Sequence, residues 1–251
     1  NPALPASSYG LLAILLGCMT AAACGINDYW DVQKDQINHP ERPLPSGRLS
    51  LQQAWWGAIG LFACALIAAL PLGVFPTSLV ALNILLLWNY SRLLQFNGIL
   101  GNLLVATVIA MLIVLASWVA HRPFAMLYPT GFLFCYALAR EIILDMHDAA
   151  GDRSQGVVTI ANQWGVQTAG QVAWSLLAVL VISMPIAFLL VPMTHPLWFG
   201  SFALLLLFSL GIPFMVYQRK QSAADYEQLV FWERLGMIFG VTAVLGAAPL
   251  L

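Results

Sequence analysis

Charged side chains are scarce along the whole chain. Asp, Glu, Lys and Arg make up 8% of the 251 residues, whereas they make up about 25% of a typical soluble domain. This scarcity excludes a soluble globular domain and an intrinsically disordered chain, because both need charge to face water. The ten Lys and Arg residues are balanced by eleven Asp and Glu residues. Because there is no basic excess, we expect no nucleic-acid partner.

Cysteine is also scarce, and its placement excludes a disulfide-stapled scaffold. The four cysteines occur singly within apolar stretches, and no two of them form a Cys-x-x-Cys pair. Spacing of this kind does not support a disulfide framework. We therefore interpret Cys18, Cys24, Cys64 and Cys135 as small apolar packing residues.

Apolar residues, in contrast, are abundant: they form 61% of the chain, and its mean hydropathy is +0.83. A membrane-spanning helix needs about 20 mostly apolar residues, and eight stretches of the sequence reach that length. The sequence therefore predicts an all-α, polytopic transmembrane helical bundle. It would form a single domain over residues 1–251, with loops that carry acidic motifs near 28–50 and 145–164. The predicted spans are 7–26, 51–71, 74–94, 99–120, 124–144, 165–191, 197–217 and 230–251.

The few charges are distributed very unequally between the two faces of the predicted bundle. If the eight spans cross the membrane alternately, nine of the ten basic residues fall on one face and only Arg122 falls on the other. The positive-inside rule assigns the crowded face to the cytoplasm. All eleven carboxylates fall on this face as well. We therefore expect a multi-pass integral membrane protein whose active site faces the cytoplasm.

Two segments near the ends of spans repeat the same acidic spacing, D-x-x-D-x-x-x-D. On an α-helix these three positions lie within an arc of about 60°, so each segment would direct three carboxylates to one place. Three like charges at a membrane boundary repel one another unless a cation neutralises them. Oxygen ligands favour a hard divalent cation such as Mg²⁺ or Ca²⁺, and two facing acidic helices could hold a metal-bound polyphosphate. The first segment carries Asp28, Asp31 and Asp35, and the second carries Asp145, Asp148 and Asp152.

At these residues the sequence resembles the UbiA superfamily of intramembrane prenyltransferases. Residues 27–35 match the family's first motif, N-D-x-x-D-x-x-x-D, and residues 38–47 resemble the N-x-P-x-R-P-x-P-S-G loop that follows it. Residues 145–152 match the core of the second motif, D-x-x-D-x-x-G-D. A third stretch, residues 90–102, resembles the family's Y-T-x-x-L-K-R…G-N segment. The similarity extends over nearly the whole chain.

The sequence departs from the family pattern at three places. Gln95 and Phe96 stand where the third stretch of relatives has Lys and Arg, and Arg92 could substitute for these cations. Leu144 stands where a Lys often precedes the second motif. The family usually has nine transmembrane helices, whereas this sequence has eight predicted spans. The resemblance therefore predicts that the first helix is missing, ahead of Asn1.

The resemblance also implies a reaction and a set of residues for it. Family members bind an isoprenyl diphosphate with its tail in a central, lipid-accessible cavity, and two Mg²⁺ ions bridge the acidic motifs to the diphosphate. Ionisation of the allylic C–O bond then allows an acceptor to capture the resulting cation. Carried over to this sequence, the catalytic residues are Asp28, Asp31, Asp148 and Asp152, the metal ligands are these four with Asn27, Asp35 and Asp145, and the substrate-binding residues are Arg42, Tyr90, Arg92, Asn102, Arg140 and Arg153.

Several alternatives stay open at this point. The donor would be an isoprenyl diphosphate and the acceptor a hydrophobic molecule of the aromatic or lipid type, but the sequence identifies neither the acceptor nor the prenyl chain length. A terpene cyclase of the same superfamily would ionise the same diphosphate without a separate acceptor. A transporter is a remote alternative, because transporters place ionisable groups near the bilayer midplane, whereas all the carboxylates of this chain fall on one face of the predicted bundle. A non-catalytic assembly factor would tolerate the loss of both acidic motifs.

Overall fold

The computed structural model describes residues 6–90, 97–122, 124–154 and 156–247. These residues form nine α-helices and no β-strand, which confirms the all-α prediction for the described part of the chain. A short 3-10 helix, Leu70–Leu72, extends the second helix. The helices are α1 Ala6–Asn38, α2 Leu51–Ala69, α3 Val74–Asn89, α4 Gly98–Val119, α5 Leu127–Ser154, α6 Ile160–Trp164, α7 Val166–Leu190, α8 Pro196–Lys220 and α9 Ala223–Ala247.

Seven of these helices are long and apolar enough to cross a membrane, namely α1, α2, α4, α5, α7, α8 and α9. The predicted span 74–94 corresponds to α3, which has only 16 residues, whereas a full crossing needs about 20. Residues 91–96, which complete that predicted span, lie outside the described residues. The described chain is therefore that of a multi-pass membrane protein with seven candidate spans, and the count of eight stays a prediction.

Both acidic motifs lie within long helices. Acidic-motif loops are predicted near residues 28–50 and 145–164, but residues 28–38 continue α1 and residues 145–154 continue α5, in keeping with the helical spacing of the carboxylates. Neither helical segment contains a proline, so nothing in the sequence stops the helix where its apolar part ends. The two sets of carboxylates therefore project from rigid helices, and the loops are shorter than predicted.

The loop of residues 39–50 folds back on the end of α1. α1 ends just before this loop because Pro40 disfavours a helical conformation at the residue that precedes it. At the other end of the loop, Ser50 begins α2 with a capping box: its hydroxyl accepts from the backbone N–H of Gln53, whose side chain accepts from the N–H of Ser50. With both ends fixed, the loop holds Arg42 against the acidic face of α1.

Two hydrophobic cores stand side by side in the bundle. The first is built mainly from α1, α2, α3 and α4, with Leu15 and Phe62 among its buried members. The second is built mainly from α5, α7, α8 and α9, with Ile143 and Phe214 at its centre. Because α1 belongs to the first core and α5 to the second, the acidic ends of these two helices meet where the cores adjoin.

One face of α7 carries large apolar side chains that the rest of the protein leaves uncovered. Val179, Ile182, Ile186 and Leu189 recur at helical spacing, and each has more than half of its surface exposed. Contiguous exposed apolar surface of this kind is unfavourable in water and marks a surface that contacts another apolar phase. The stripe agrees with the candidate spans in indicating a helix that faces lipid.

Candidate active site

The acidic motifs place several carboxylates in buried positions where α1 and α5 meet. On α1, Asp31 and Asp35 have only 7% and 1% of their surface exposed, and on α5 Asp152 has 1% exposed. Asp28, near the outer side of the first motif, is about one third exposed. Burying an ionised carboxylate is unfavourable unless a cation or a hydrogen-bond donor compensates for the lost water. The partners of these groups therefore determine what the site can bind.

Lys34 joins the two motifs. Its Nζ atom lies 3.0 Å from Oδ1 of Asp152, in a contact that links α1 to α5. Asp31 and Asp148 also interact electrostatically with Lys34. Burial raises the pKa of the Asp152 carboxyl above its ordinary value, although the positive charge of Lys34 opposes this shift. The ammonium group of Lys34 therefore interacts with carboxylates of both motifs.

Arg42 binds the first motif from the following loop. Its Nη1 atom donates hydrogen bonds to Oδ1 and Oδ2 of Asp35 at 3.0 and 2.9 Å, and it lies 3.6 Å from Oδ1 of Asp28. Ser46 steadies the loop, because its backbone N–H and its hydroxyl both donate to the carbonyl of Arg42. Burial alone would lower the pKa of Arg42, but the carboxylates of Asp35 and Asp28 raise it, so the guanidinium stays charged.

The second motif is held by two polar side chains from other elements. Asn102 on α4 donates an N–H to Oδ2 of Asp145 at 2.9 Å. Nε2 of His39, in the loop after α1, lies 3.4 Å from Oδ1 of Asp148. Asn102, a predicted substrate-binding residue, thus lies against a predicted metal ligand, and its contact with substrate stays a prediction. His39 was not among the predicted site residues, because no spacing rule relates its position to the second motif.

Arg140 forms a buried ionic group between α5 and α9. Its guanidinium donates to the carboxylates of Glu233 and Glu141, and Glu233 has only 1% of its surface exposed. Arg140 is a predicted substrate-binding residue; these two acids are its partners in the structure, and its contact with substrate stays a prediction. Glu233 was missed because it lies 93 positions further along the chain, on a helix with no recognisable motif. The group ties the second acidic helix to α9.

The other predicted site residues lie at different distances from the two motifs. Asn27 lies on α1, directly before Asp28. Tyr90, at the end of α3, is close enough to Glu141 and Asp145 to interact with them electrostatically. Arg153 is exposed in the last turn of α5. The prediction that Arg92 substitutes for the cations replaced by Gln95 and Phe96 concerns residues that lie outside the described ones.

An aromatic group that the sequence did not reveal lies beside the second motif. The ring of His147 stacks on that of Tyr226, with their centroids 3.3 Å apart and their planes at 8°. Nδ1 of His147 lies 3.1 Å from the hydroxyl oxygen of Tyr217. The two tyrosines come from the end of α8 and the start of α9. The hairpin of α8 and α9 is therefore attached to the acidic segment of α5 through the His147 side chain.

The donor atoms of the two motifs fit Mg²⁺ in type. Carboxylate and amide oxygens are the ligands that this ion prefers in proteins. Oδ1 of Asp148 and Oδ1 of Asp152 are buried, and their contacts with His39 and Lys34 lack hydrogen-bond geometry. Within the described ranges, no three Asp, Glu, His or Cys side chains converge closely enough to hold one metal ion. The acids are instead arranged around the protein's own cations.

Comparison with known proteins confirms the family resemblance. A sequence model of the UbiA prenyltransferase family matches residues 2–235. A protein of Saccharolobus solfataricus named digeranylgeranylglyceryl phosphate synthase is 30% identical over 245 residues, which cover 95% of this chain and 84% of that protein. A protein of the same name from Sulfolobus acidocaldarius is 35% identical over 180 residues, which cover 70% of this chain. The latter alignment spans 65% of the relative, slightly less than two thirds of its length.

A solved structure shares the helical fold. The structure of a UbiA homologue from Archaeoglobus fulgidus bound to GPP and Mg²⁺ matches with a TM-score of 0.72, over 98% of this chain and 90% of that chain. The two sequences are only 15% identical, so this likeness shows a common architecture and leaves the reaction to be argued from the residues.

Proposed function

The chain belongs to the UbiA prenyltransferase family, and we propose that it transfers an isoprenyl group from an allylic isoprenyl diphosphate to an acceptor in the membrane, with Mg²⁺ as cofactor. One observation carries this proposal. The D-x-x-D-x-x-x-D segments of α1 and α5 lie against each other, joined by the contact between Lys34 and Asp152. Several buried carboxylates at one place are unfavourable for folding. Their presence therefore supports a binding role, and a metal-bound diphosphate is the ligand whose charge matches them.

A lipid acceptor is favoured over an aromatic one. Both relatives described above carry the name digeranylgeranylglyceryl phosphate synthase. We accordingly propose that the acceptor is a glyceryl phosphate lipid and that the donor carries a geranylgeranyl chain.

The proposed metal ligands belong to the two helical motifs. We assign two Mg²⁺ ions to this site, as the family resemblance implies, and the Mg²⁺-bound homologue supports the choice of metal. When bound, Mg²⁺ would neutralise the charge that develops on the leaving diphosphate oxygen as the allylic C–O bond breaks. The proposed ligands are Asn27, Asp28, Asp31, Asp35, Asp145, Asp148 and Asp152, of which Asp28, Asp31, Asp148 and Asp152 are the catalytic ones.

Other side chains orient the ligands and receive the diphosphate. Asp35 fixes the guanidinium of Arg42 beside the first motif, and arginine binds phosphate oxygens well because its N–H groups form a planar fork. Asn102 fixes the carboxylate of Asp145 by donating to one of its oxygens. We propose that Arg42 contacts the diphosphate and that Asn102 acts on the substrate through Asp145.

The membrane arrangement follows the family. We propose that the chain crosses the membrane eight times, as its apolar stretches predict, that the isoprenyl tail occupies a central cavity open to lipid, and that the acidic motifs face the cytoplasm. The exposed apolar stripe of α7 supports embedding in lipid. The concentration of nine of the ten basic residues on the face that carries the motifs supports the orientation.

A reaction assay tests this proposal. The protein, purified in nanodiscs, is incubated with geranylgeranyl diphosphate and a geranylgeranylglyceryl phosphate acceptor, with either Mg²⁺ or EDTA. We expect Mg²⁺-dependent release of pyrophosphate together with a doubly prenylated lipid. Asp31→Asn and Asp148→Asn should each lower the rate at least 100-fold, because each removes a carboxylate that receives the metal. Glu227→Gln, which alters an exposed acid at the start of α9, is the matched control and should keep wild-type activity.

The product separates the competing functions. Pyrophosphate release with a cyclic hydrocarbon or alcohol and no acceptor would identify a cyclase. Release only with an aromatic acceptor would refute the lipid assignment while leaving the transferase reaction standing. Full activity in EDTA, or in both aspartate variants, would refute the proposed function altogether.

A further inference from the structure

The position of Lys34 gives it a role in the order of ligand binding, an inference that rests on the proposed function. We propose that, in the substrate-free protein, the ammonium group of Lys34 acts as an internal cation that neutralises carboxylates of both motifs. When a diphosphate binds, the ammonium group moves to its oxygens and frees those carboxylates for the metal. In this role Lys34 is a positioning residue. It keeps the affinity for a divalent metal low until the diphosphate is present, and thereby couples the two binding events.

Lys34 lies on the acidic face of α1 and reaches the second motif. Lys34 lies three residues after Asp31, so both side chains lie on one face of α1. Its Nζ atom reaches across to α5 and contacts Oδ1 of Asp152 at 3.0 Å. The lysine side chain has 21% of its surface exposed and the Asp152 side chain 1%. The ammonium group therefore neutralises a carboxylate that has almost no access to water.

The two cations of the site, Arg42 and Lys34, differ in how firmly they are held. Arg42 is held by two hydrogen bonds to Asp35 and by a loop whose ends are both fixed. Lys34 carries a compact charge on a flexible four-carbon stem, so its ammonium group can move between neighbouring acceptors. It can therefore leave the carboxylate of Asp152 for a diphosphate oxygen without any displacement of the helix.

A metal ion and the ammonium group of Lys34 would compete for the same carboxylate. A divalent metal that binds Asp152 would bind a carboxylate whose Oδ1 atom Lys34 already contacts, so metal and ammonium group would compete for the same negative charge. Without a diphosphate, the displaced ammonium group would remain charged beside the metal, and the two cations would repel each other. With a diphosphate, the ammonium group gains anionic oxygens as partners. Metal and diphosphate should thus each raise the affinity for the other, since coupling between two ligands is reciprocal.

Binding of Mn²⁺ tests this inference without any catalytic turnover. Bound Mn²⁺ is measured by electron paramagnetic resonance for the protein in nanodiscs, alone and with inorganic pyrophosphate. An empty-nanodisc blank corrects for the Mn²⁺ that pyrophosphate holds in solution. In the wild type, pyrophosphate should raise the Mn²⁺ affinity at least fivefold, the lower end of usual coupling between sites. Lys34→Met should bind Mn²⁺ alone about tenfold more tightly, and pyrophosphate should then raise its affinity less than twofold.

Two further variants control for charge and for side-chain type. Lys34→Arg keeps the positive charge and should bind Mn²⁺ alone within about threefold of the wild type. Lys220→Met removes a lysine that is 67% exposed at the end of α8 and pairs with Asp225, so it should leave both affinities unchanged. Thermal unfolding of each variant shows whether it is folded before Mn²⁺ is added.

The outcomes separate this inference from the proposed function. If Lys34→Met and the wild type bind Mn²⁺ alone equally well, or if the variant binds it more weakly, the role of Lys34 is wrong and the prenyltransferase assignment stands. If pyrophosphate does not raise the Mn²⁺ affinity of the wild type, the inference is likewise wrong, whether or not the variant folds. If no protein binds Mn²⁺ under either condition, the metal site fails and the proposed function fails with it.

Discussion

Replacement of Glu233 by methionine should destabilise the protein through the ionic group between α5 and α9. Glu233 has 1% of its surface exposed, and its carboxylate accepts a hydrogen bond from Arg140. In the variant the guanidinium keeps Glu141 as a partner but loses its partner on the neighbouring helix. The perturbation therefore tests whether this group holds α9 against the helix that carries the second acidic motif.

The size of the effect follows from the burial of the pair. Removing one partner of a buried ion pair usually costs about 3–5 kcal/mol. Because Glu141 still neutralises Arg140, we expect the lower end, about 3 kcal/mol. A domain of roughly this size loses about 2–4 °C of Tm per kcal/mol, so the Tm should fall by about 6–12 °C. The double variant Arg140→Met with Glu233→Met should recover about 2 kcal/mol of the summed loss, because apolar side chains often replace a buried pair without penalty.

The assay is a double-mutant cycle in which the Tm of each variant is measured by circular dichroism, in one detergent and at one protein concentration. Glu227→Met, which alters an exposed glutamate on α9, serves as the control and should shift Tm by less than 2 °C. If the Arg140 and Glu233 effects add within about 0.5 kcal/mol, as independent sites do, the two residues do not stabilise the protein as a pair.

Three further predictions concern other parts of the structure. Gly98→Ala should lower the free energy of unfolding by about 1–3 kcal/mol, because the added methyl group would overlap the backbone between α5 and α6. Gly60→Ala, whose methyl group meets open space, is the control and should not lower Tm. Equal Tm values for the two variants would contradict this. Arg42→Gln should cost about 2 kcal/mol and raise KM for the donor, since Asp35 stays buried while the arginine is 39% exposed; an unchanged KM in steady-state assays would contradict it. Burial raises the pKa of Asp152, so the folded protein holds this proton more tightly than the unfolded chain does. The resulting contribution to the free energy of unfolding is fully present below the ordinary pKa of 3.8 and is lost as the pH rises through the raised pKa. The Tm of Asp152→Asn, in EDTA, should therefore rise relative to the wild type between pH 4 and pH 8, and a falling difference would contradict this.

The acidic motifs could be predicted from the sequence because helical spacing alone brings their members to one face. Asp28, Asp31 and Asp35 follow one another at i, i+3 and i+7, and they project from α1 as that spacing requires. The predicted loops near 28–50 and 145–164 begin too early in the chain, since hydropathy reports where the apolar part of a helix ends and not where the helix itself ends. The absence of proline before Pro40 was the signal that could have corrected the prediction.

The partners of the acids could be predicted only in part. Lys34 stands one turn after Asp31, so its place at the site was accessible from spacing. Its contact with Asp152 depends on how α1 packs against α5 and was not accessible. The same holds for Glu233, which meets Arg140 only through the packing of α9 on α5. Contacts between helices distant in sequence are set by the shapes of whole helix faces, and a single sequence does not display these.

Direct location of the metal tests the central claim, that the two acidic helix ends bind a metal diphosphate together. Crystals grown with Mn²⁺ and geranylgeranyl thiodiphosphate would show the metal by anomalous scattering. We predict anomalous peaks between α1 and α5, with carboxylate oxygens of Asp31 and of Asp148 or Asp152 within about 2.5 Å of the ions. Peaks that contact only one of the two helices, or a diphosphate bound away from both, would contradict the account.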